Sequence, residues 1–517
     1  MGKKNKKQTI DSGTNSSTYK SVLTANNQNK TPELGLFLFI KNNKDNKLYL
    51  LSGILIGILF FTLLRYFFPE PSFYSDSYTY IGAAKDNKLA SYRPIEYSAV
   101  IQYFHNFTNS DFALIFVQYF TNVFANLFLF FTFCYFFPIN KWLKLALFLV
   151  LTINPLYIIC SNYVLSDALF CSITVIWFTT LIYTIRRPHL WQFAVQVILL
   201  LLLFKLRYNA IIFPVLIALA VLLSNQKLWM KLTWIFTSVI LIVMLMKNTA
   251  DTNEEATNVH TFSSFSGWQM ANDALHMMPY TKNTDTTAFD DDSKEAYAFI
   301  KNYFDTVQSK NTIAPTSGVT PFFMWDKRSP LKKYVPLYAT KYGFKDYFLA
   351  WCSLGPIYYK MGQTLILQHP MLYYKHFIYP NTGAYFIPDL EAYGSYNENR
   401  DSVATIAKDY YQYKTTAIDK SSNKLHDTLI KPWPILFFIL NTILLVSSLL
   451  YFGLGIFRTN NKVFNQSILM FLALYFINFF FVVCLAPSVF RYHLFIVTLS
   501  WGYIALISQQ IVVHFKR

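Results

Sequence analysis

Charge is scarce in this chain. Only 14% of its 517 residues are Asp, Glu, Lys or Arg, against about 25% in an ordinary soluble domain. The deficit excludes a soluble multidomain protein, although the length alone would allow roughly three domains. Cysteine is scarce too. Cys134, Cys160, Cys171, Cys352 and Cys484 show no CxxC or paired spacing, so neither a disulfide framework nor a metal site of that type is expected. They read as small packing residues. The N-terminal stretch has no apolar core before Leu34, so it does not look like a secretory signal peptide, and a flexible basic tail over residues 1–47 is expected. Lys6 stands where N-myristoylation would want Ser or Thr. No internal repeat is visible.

What is abundant is apolar residue, 54% of the chain, and aromatic residue, 19%. These residues gather in long runs, and about 18 or more in a row suffice to cross a hydrocarbon core. Ten candidate spans result, at approximately residues 48–68, 112–137, 143–160, 165–185, 190–206, 209–223, 232–246, 435–457, 464–484 and 494–513. The fifth to seventh are short or closely spaced. The net charge of +17 does not indicate nucleic acid, because the cations punctuate the apolar runs. With the N-terminus inside, the inner loops carry Lys141 and Lys144, Arg186 and Arg187, Lys227 and Lys231, Arg458 and Lys462, and Lys516 and Arg517. Every inner loop is then basic, as the positive-inside rule requires.

The expected fold is an α-helical polytopic membrane protein of about ten transmembrane helices with a large extracytoplasmic domain of mixed or mainly helical structure. Its parts are the cytoplasmic tail 1–47, a membrane module of about seven spans over 48–247 with a first outer loop at 69–111, an extracytoplasmic domain over 248–433, and three further spans over 434–517. Asp291-Asp292-Ser293 predicts a capped helix start, and a solvated helix start is favoured over a metal site for Asp290–Asp292. Residues 347–377 suggest helices that lie on the membrane or pack on the spans. Asn106-Phe107-Thr108 fits a glycosylation acceptor pattern in the outer loop.

Charged groups at a bilayer are costly and invite functional readings. On the outer side stand Asp76, in Tyr74-Ser75-Asp76-Ser77-Tyr78; Arg93 and Glu96, in Tyr92-Arg93-Pro94-Ile95-Glu96-Tyr97; Asp167, after Ser166; and Lys205, Arg207 and Arg491-Tyr492-His493. Each has a plain alternative. Asp76, Ser166 or Asp167 would serve as helix caps, Arg93 and Glu96 would pair with each other, and the other cations would snorkel to headgroups. Trp268 and Trp325 would stack on sugar or pack in a core. The functional reading is that two carboxylates and several arginines converge on one membrane face, with arginine forks suited to phosphate.

In these segments the chain resembles the GT-C glycosyltransferases, multi-span enzymes that take sugar from a polyprenyl-phosphate carrier. The bacterial members related to protein mannosyltransferase and to the aminoarabinose transferase of lipid A are the most similar. The resemblance runs through Asp76 to Tyr80, then through Arg93-Pro94-Ile95-Glu96-Tyr97, where Ile95 replaces the second proline of Arg-Pro-Pro-x-Tyr. It continues through Asn154-Pro155 to Ser166-Asp167-Ala168-Leu169, Leu206-Arg207-Tyr208-Asn209 with Pro214, and Arg491-Tyr492. It covers the large loop thinly, at His369-Pro370 and Pro380-Asn381.

The resemblance implies a glycosyltransferase in the bacterial inner membrane, both termini cytoplasmic, working at the extracytoplasmic face. Its partners would be a polyprenyl-phosphate sugar, a glycan, lipid or protein acceptor, and the bilayer. It implies Asp76 as the essential acid, which orients and deprotonates the acceptor or ligates a metal, and Asp167 as a second acid. Arg93 would bind the donor phosphate, with Arg207 and Arg491 as further phosphate ligands and Glu96, Tyr80 and Tyr492 in support. A divalent metal is left open. A surface-polysaccharide polymerase or ligase, and a lipid-linked sugar flippase, are the competing readings. Transporters often carry inverted repeats and midplane sites, and neither is visible here.

Overall fold

An apolar segment in hydrocarbon can satisfy its backbone polar groups within itself only as a helix. The computed structural model, which describes residues 35–309 and 318–516 apart from Arg187, bears this out. Most of the basic tail, with Lys6, and the cations Arg187 and Arg517 lie outside the described residues. Among the described residues there is no named strand, and three isolated bridges join loops. Eight helices are long and apolar enough to cross a membrane: Lys44–Phe67, Phe112–Phe136, Lys141–Cys160, Asp167–Arg186, Leu228–Thr257, Asn423–Gly453, Lys462–Leu485 and Leu494–Phe515. Two shorter apolar helices, Leu190–Leu206 and Tyr208–Leu223, occupy the fifth and sixth runs. The protein is an α-helical, multi-pass membrane protein.

Local chemistry explains the breaks. The third span pauses at Ile153, and Asn154 caps the restart by accepting from the Leu156 N–H at 3.0 Å. Pro155 then opens the next turn, where its missing N–H is no loss. The fifth span has 17 residues, about 26 Å of helix against a core of about 30 Å. It ends at Arg207, whose extended backbone (φ −153°, ψ 127°) turns the chain directly into the sixth. The seventh helix does not stop near residue 247. It runs unbroken to Thr257 and ends where Asn258 turns left-handed at φ 58°, because no glycine or proline interrupts it.

Two cores result. The larger joins the spans and is rich in phenylalanine. A polar stripe crosses it: Gln118 donates to the carbonyls of Ser161 and Tyr163, both at 3.0 Å, and accepts from the Tyr97 hydroxyl at 2.6 Å. The smaller core belongs to helices of the large polar segment, chiefly Ser264–Leu275, Asp291–Ser309, Pro330–Tyr342 and Tyr347–Gln368. Residues 347–368 are therefore apolar because they form this second core, through Trp351, Leu354, Tyr358 and Leu365. Their helix crosses Ser264–Leu275 so closely that a Cβ on Gly267 would lie 1.8 Å from the Gly355 carbonyl oxygen. Trp268 is fully buried there against Trp351, with ring centroids 5.2 Å apart, so core packing accounts for it. Asp290 caps its helix by accepting from the Ser293 N–H at 2.8 Å. Cys160, Cys171 and Cys352 are buried free thiols.

Candidate active site

Four loops meet at one end of the helical bundle. The chain leaving the first span is stitched to the turn before the fourth: the Ser72 N–H donates to the Asn162 carbonyl at 2.8 Å, and the Val164 N–H donates back to Ser72 at 3.1 Å. A second tie joins the Tyr80 hydroxyl and Ser166 Oγ at 3.3 Å. Together they bring Asp76 alongside Asp167. From the large segment, Asp389 bridges to Val489, and its carbonyl accepts from the Phe490 N–H at 2.7 Å. That contact lays residues 387–400 over the single 3₁₀ turn Phe490–Tyr492. The Asn397 N–H donates to Ser72 Oγ at 2.9 Å and closes the ring of loops.

At the centre is Arg491, 7% exposed. Its Nε and Nη2 donate to the two oxygens of Asp167 at 3.1 and 2.7 Å, and its Nη1 donates to Asp76 Oδ2 at 2.9 Å. Nη1 also reaches Glu391 at 3.4 Å. Arg93 donates to the other Asp76 oxygen at 2.5 Å, and Arg207 donates to Asp167 Oδ1. The Arg207 guanidinium stands over the Tyr492 ring at 5.4 Å. Asp76 and Asp167 are 6% and 2% exposed. Three carboxylates thus face three guanidiniums, so a buried cluster that would be intolerable with any member unpaired is formally neutral.

The sequence-expected residues Asp76, Asp167, Arg93, Arg207, Arg491, Tyr80 and Tyr492 are therefore gathered at one place. Neither aspartate is spent as a helix cap: it is Ser77 Oγ that accepts from the Tyr74 N–H, at 3.0 Å, and the carboxylates turn to the arginines instead. Glu96 is the exception. It does not pair with Arg93; it pairs with Lys205 at 3.3 Å. Asp76 reaches Arg93 across the loop, whereas Glu96 begins its own helix, Glu96–His105, and faces the end of the fifth span. Glu391 was not expected. Its setting, Pro388-Asp389-Leu390-Glu391, reads as an acidic turn and carries no local mark of the partner a hundred residues away. Its backbone is left-handed, φ 48°, held where the loop crosses Arg491.

The acids differ electrostatically. Burial opposes ionisation of Asp76, but Arg93 and Arg491 outweigh it and hold the carboxyl below the usual range. At Glu391 burial dominates, Arg491 works against it and Asp76 adds to it, so this carboxyl sits above the usual range. A divalent cation does not fit the cluster as it stands: both oxygens of Asp76 and of Asp167 already accept from guanidiniums. Among the described residues no group of three acidic, histidine or cysteine side chains is arranged to hold a metal.

Two clefts border the cluster. One is polar and is lined by Ser91, Arg93, Glu96, Asn248, Thr252 and Trp351 among others. The other is a narrow, mainly apolar crevice, with Phe170, Phe213 and Phe495 beside Arg207 and Arg491. No protein-family model, curated protein or solved structure matches the chain, so the site's own geometry carries the functional reading.

Proposed function

We propose that the protein is a membrane glycosyltransferase of GT-C type, which transfers a sugar from a polyprenyl-phosphate donor to an acceptor at the extracytoplasmic face of a bacterial inner membrane. The observation that carries this reading is the buried cluster of Asp76, Asp167, Arg93, Arg207 and Arg491. Five residues from distant segments meet where a polar cleft, suited to a hydroxylated acceptor, reaches Arg93 and a narrow apolar crevice reaches Arg207 and Arg491.

The acceptor hydroxyl attacks the anomeric carbon while the bond from that carbon to the phosphate oxygen breaks. The lipid phosphate leaves with the bonding electron pair. Arg207 and Arg491 stabilise the charge that develops on it, as preorganised cations do best in a water-poor site. Asp76, kept ionised by its arginines, accepts a hydrogen bond from the acceptor hydroxyl and orients it. Glu391, which shares Arg491 Nη1 with Asp76, takes the proton from that hydroxyl as general base. Asp167 holds Arg207 and Arg491 in register. The large polar segment then shapes acceptor access.

The test is transfer from a polyprenyl-phosphate sugar in membranes containing the full chain, with mass spectrometry of lipid-linked sugars and surface glycans in cells with and without the gene. Asp76→Asn and Asp167→Asn should each lower transfer by about a hundredfold or more. If both variants, correctly inserted, retain full transfer, the assignment is wrong.

A further inference from the structure

The end of the bundle opposite Arg491 holds a second concentration of charge. The fourth span carries Asp167 at one end and Arg186 at the other; it has 20 residues and is therefore about 30 Å long. The five loops at the Arg186 end, residues 137–144, 186–190, 224–231, 453–462 and 513–517, contain lysine and arginine but no aspartate or glutamate. Between the ends of the fourth, sixth and ninth spans lies a cavity of about 440 Å³, within the roughly 300–1,000 Å³ of small-molecule sites. Asp45 opens the first span, which contributes no residue to the lining.

The lining is cationic and rich in hydrogen-bonding groups. Arg186, half-buried, closes the fourth span, Asn225 follows the sixth, and Thr459, Asn460, Asn461 and Lys462 lead into the ninth. None of the lining residues is acidic. The wall is braced. Asn460 Nδ2 donates to the Tyr451 hydroxyl at 3.1 Å, that hydroxyl donates to Asn465 Oδ1 at 2.5 Å, and Gln466 Nε2 donates to the Leu223 carbonyl at 2.8 Å. These bonds tie the 453–462 loop to the ninth span and the ninth span to the sixth. Lys462 is the anomaly. It is the first residue of a 24-residue helix whose first turn holds no acid, and a cation there opposes the helix dipole. Two cations from different helices thus border one cavity with no acid in its lining. Like charges so placed repel, and an anion between them turns the repulsion into attraction.

We propose that this cavity binds a phosphate group between Arg186 and Lys462, with the side-chain amides of Asn225 and Asn461 as further donors. The planar fork of arginine matches phosphate oxygens, and a basic pocket between span ends is a setting that holds phospholipid headgroups. Ile185, Leu223 and Val463 give the same lining an apolar side, and the neighbouring Leu222 is exposed. That side suits the stem of a phospholipid, whereas a free phosphate needs only the polar side. The site is independent of the glycosyl-transfer reading and stands at the other end of the bundle from its residues.

The test has two arms, both on the full chain. Native mass spectrometry from detergent measures binding of dioleoylphosphatidylglycerol against dioleoylphosphatidylcholine, and calorimetry in phosphatidylcholine nanodiscs measures binding of inorganic phosphate. The wild type should prefer phosphatidylglycerol by about tenfold or bind inorganic phosphate, and the arm that responds identifies the source. Lys462→Gln should weaken that binding about tenfold with an unchanged unfolding midpoint, and Lys462→Arg should restore it. Asn225→Asp, which puts a negative charge at an exposed lining position, should weaken it at least as much. Lys141→Gln removes an exposed cation at the same end of the bundle that does not line the cavity, and should bind as the wild type does. A wild type that responds in neither arm overturns the site, as does a Lys462→Gln or Asn225→Asp variant that keeps the wild-type affinity. Equal losses in Lys141→Gln and Lys462→Gln also overturn it, because the attraction would then belong to the basic surface as a whole.

Discussion

Arg491 holds three carboxylates at once, so Arg491→Met tests the cluster as a unit. Methionine fills most of the volume with a flexible chain, and the loss is therefore mainly electrostatic. Asp76 keeps Arg93 and Asp167 keeps Arg207, but Glu391 loses its ion pair within the cluster. Three acids then face two guanidiniums. Removing one partner from a buried ion pair costs about 3–5 kcal/mol, and that is the expected destabilisation at neutral pH. The loss should shrink on acidification, because Glu391, already raised, can take up a proton and restore neutrality. Arg491→Met combined with Asp167→Asn leaves two acids against two guanidiniums. The double variant should recover about 1–3 kcal/mol relative to the sum of the single changes. The assay is equilibrium unfolding of detergent-solubilised protein, followed by tryptophan fluorescence across pH. A cost below about 1 kcal/mol, together with strict additivity in the double variant, would refute the picture of a charge-balanced cluster.

Three further outcomes follow from single residues. Glu391 is raised above its ordinary 4.5, so between 4.5 and its native value the folded chain holds a proton that the unfolded chain has lost. Its contribution therefore falls as pH rises through that window, whereas Asp76, held below its ordinary 3.8, contributes fully above 3.8 and loses that contribution on acidification. Unfolding measured from pH 3 to 8 should show Glu391→Gln losing the decline at higher pH and keeping the acid limb. At the crossing of the second core, Gly267→Ala puts a methyl 1.8 Å from the Gly355 carbonyl oxygen, which neither backbone can yield without the helices separating. It should cost at least about 1–3 kcal/mol and expose residues 258–432 to limited proteolysis. Gly383→Ala meets nothing within 4 Å in its helix and should be neutral or slightly stabilising.

The membrane architecture was legible because its cause is local. A run of apolar residues is driven into helix by the bilayer whatever its neighbours, so all ten runs recur as apolar helices. The ends were less legible: the seventh helix passes residue 247 because termination depends on a breaker, and none stands before Asn258. The helix over residues 347–368 was apolar for a reason composition cannot distinguish, since a second core and a membrane surface demand the same side chains.

Asp76, Asp167, Arg207 and Arg491 could be singled out in the sequence because a charge just outside an apolar run is itself an anomaly, and Arg93 because it stands before Pro94 in the first outer loop. Glu391 lies in ordinary polar sequence and carries no such mark. Partnership was decided only by the tertiary structure. Arg93 chose Asp76 over the nearer Glu96, and Arg491 collected acids from three loops. Such pairing depends on how loops are tied together at Ser72 and Asp389, hundreds of residues apart along the chain. The sequence by itself determined that the chain lies in a membrane and which charges were out of place. The fold determined which of those charges balance one another, because Coulomb attraction acts through space and not along the chain.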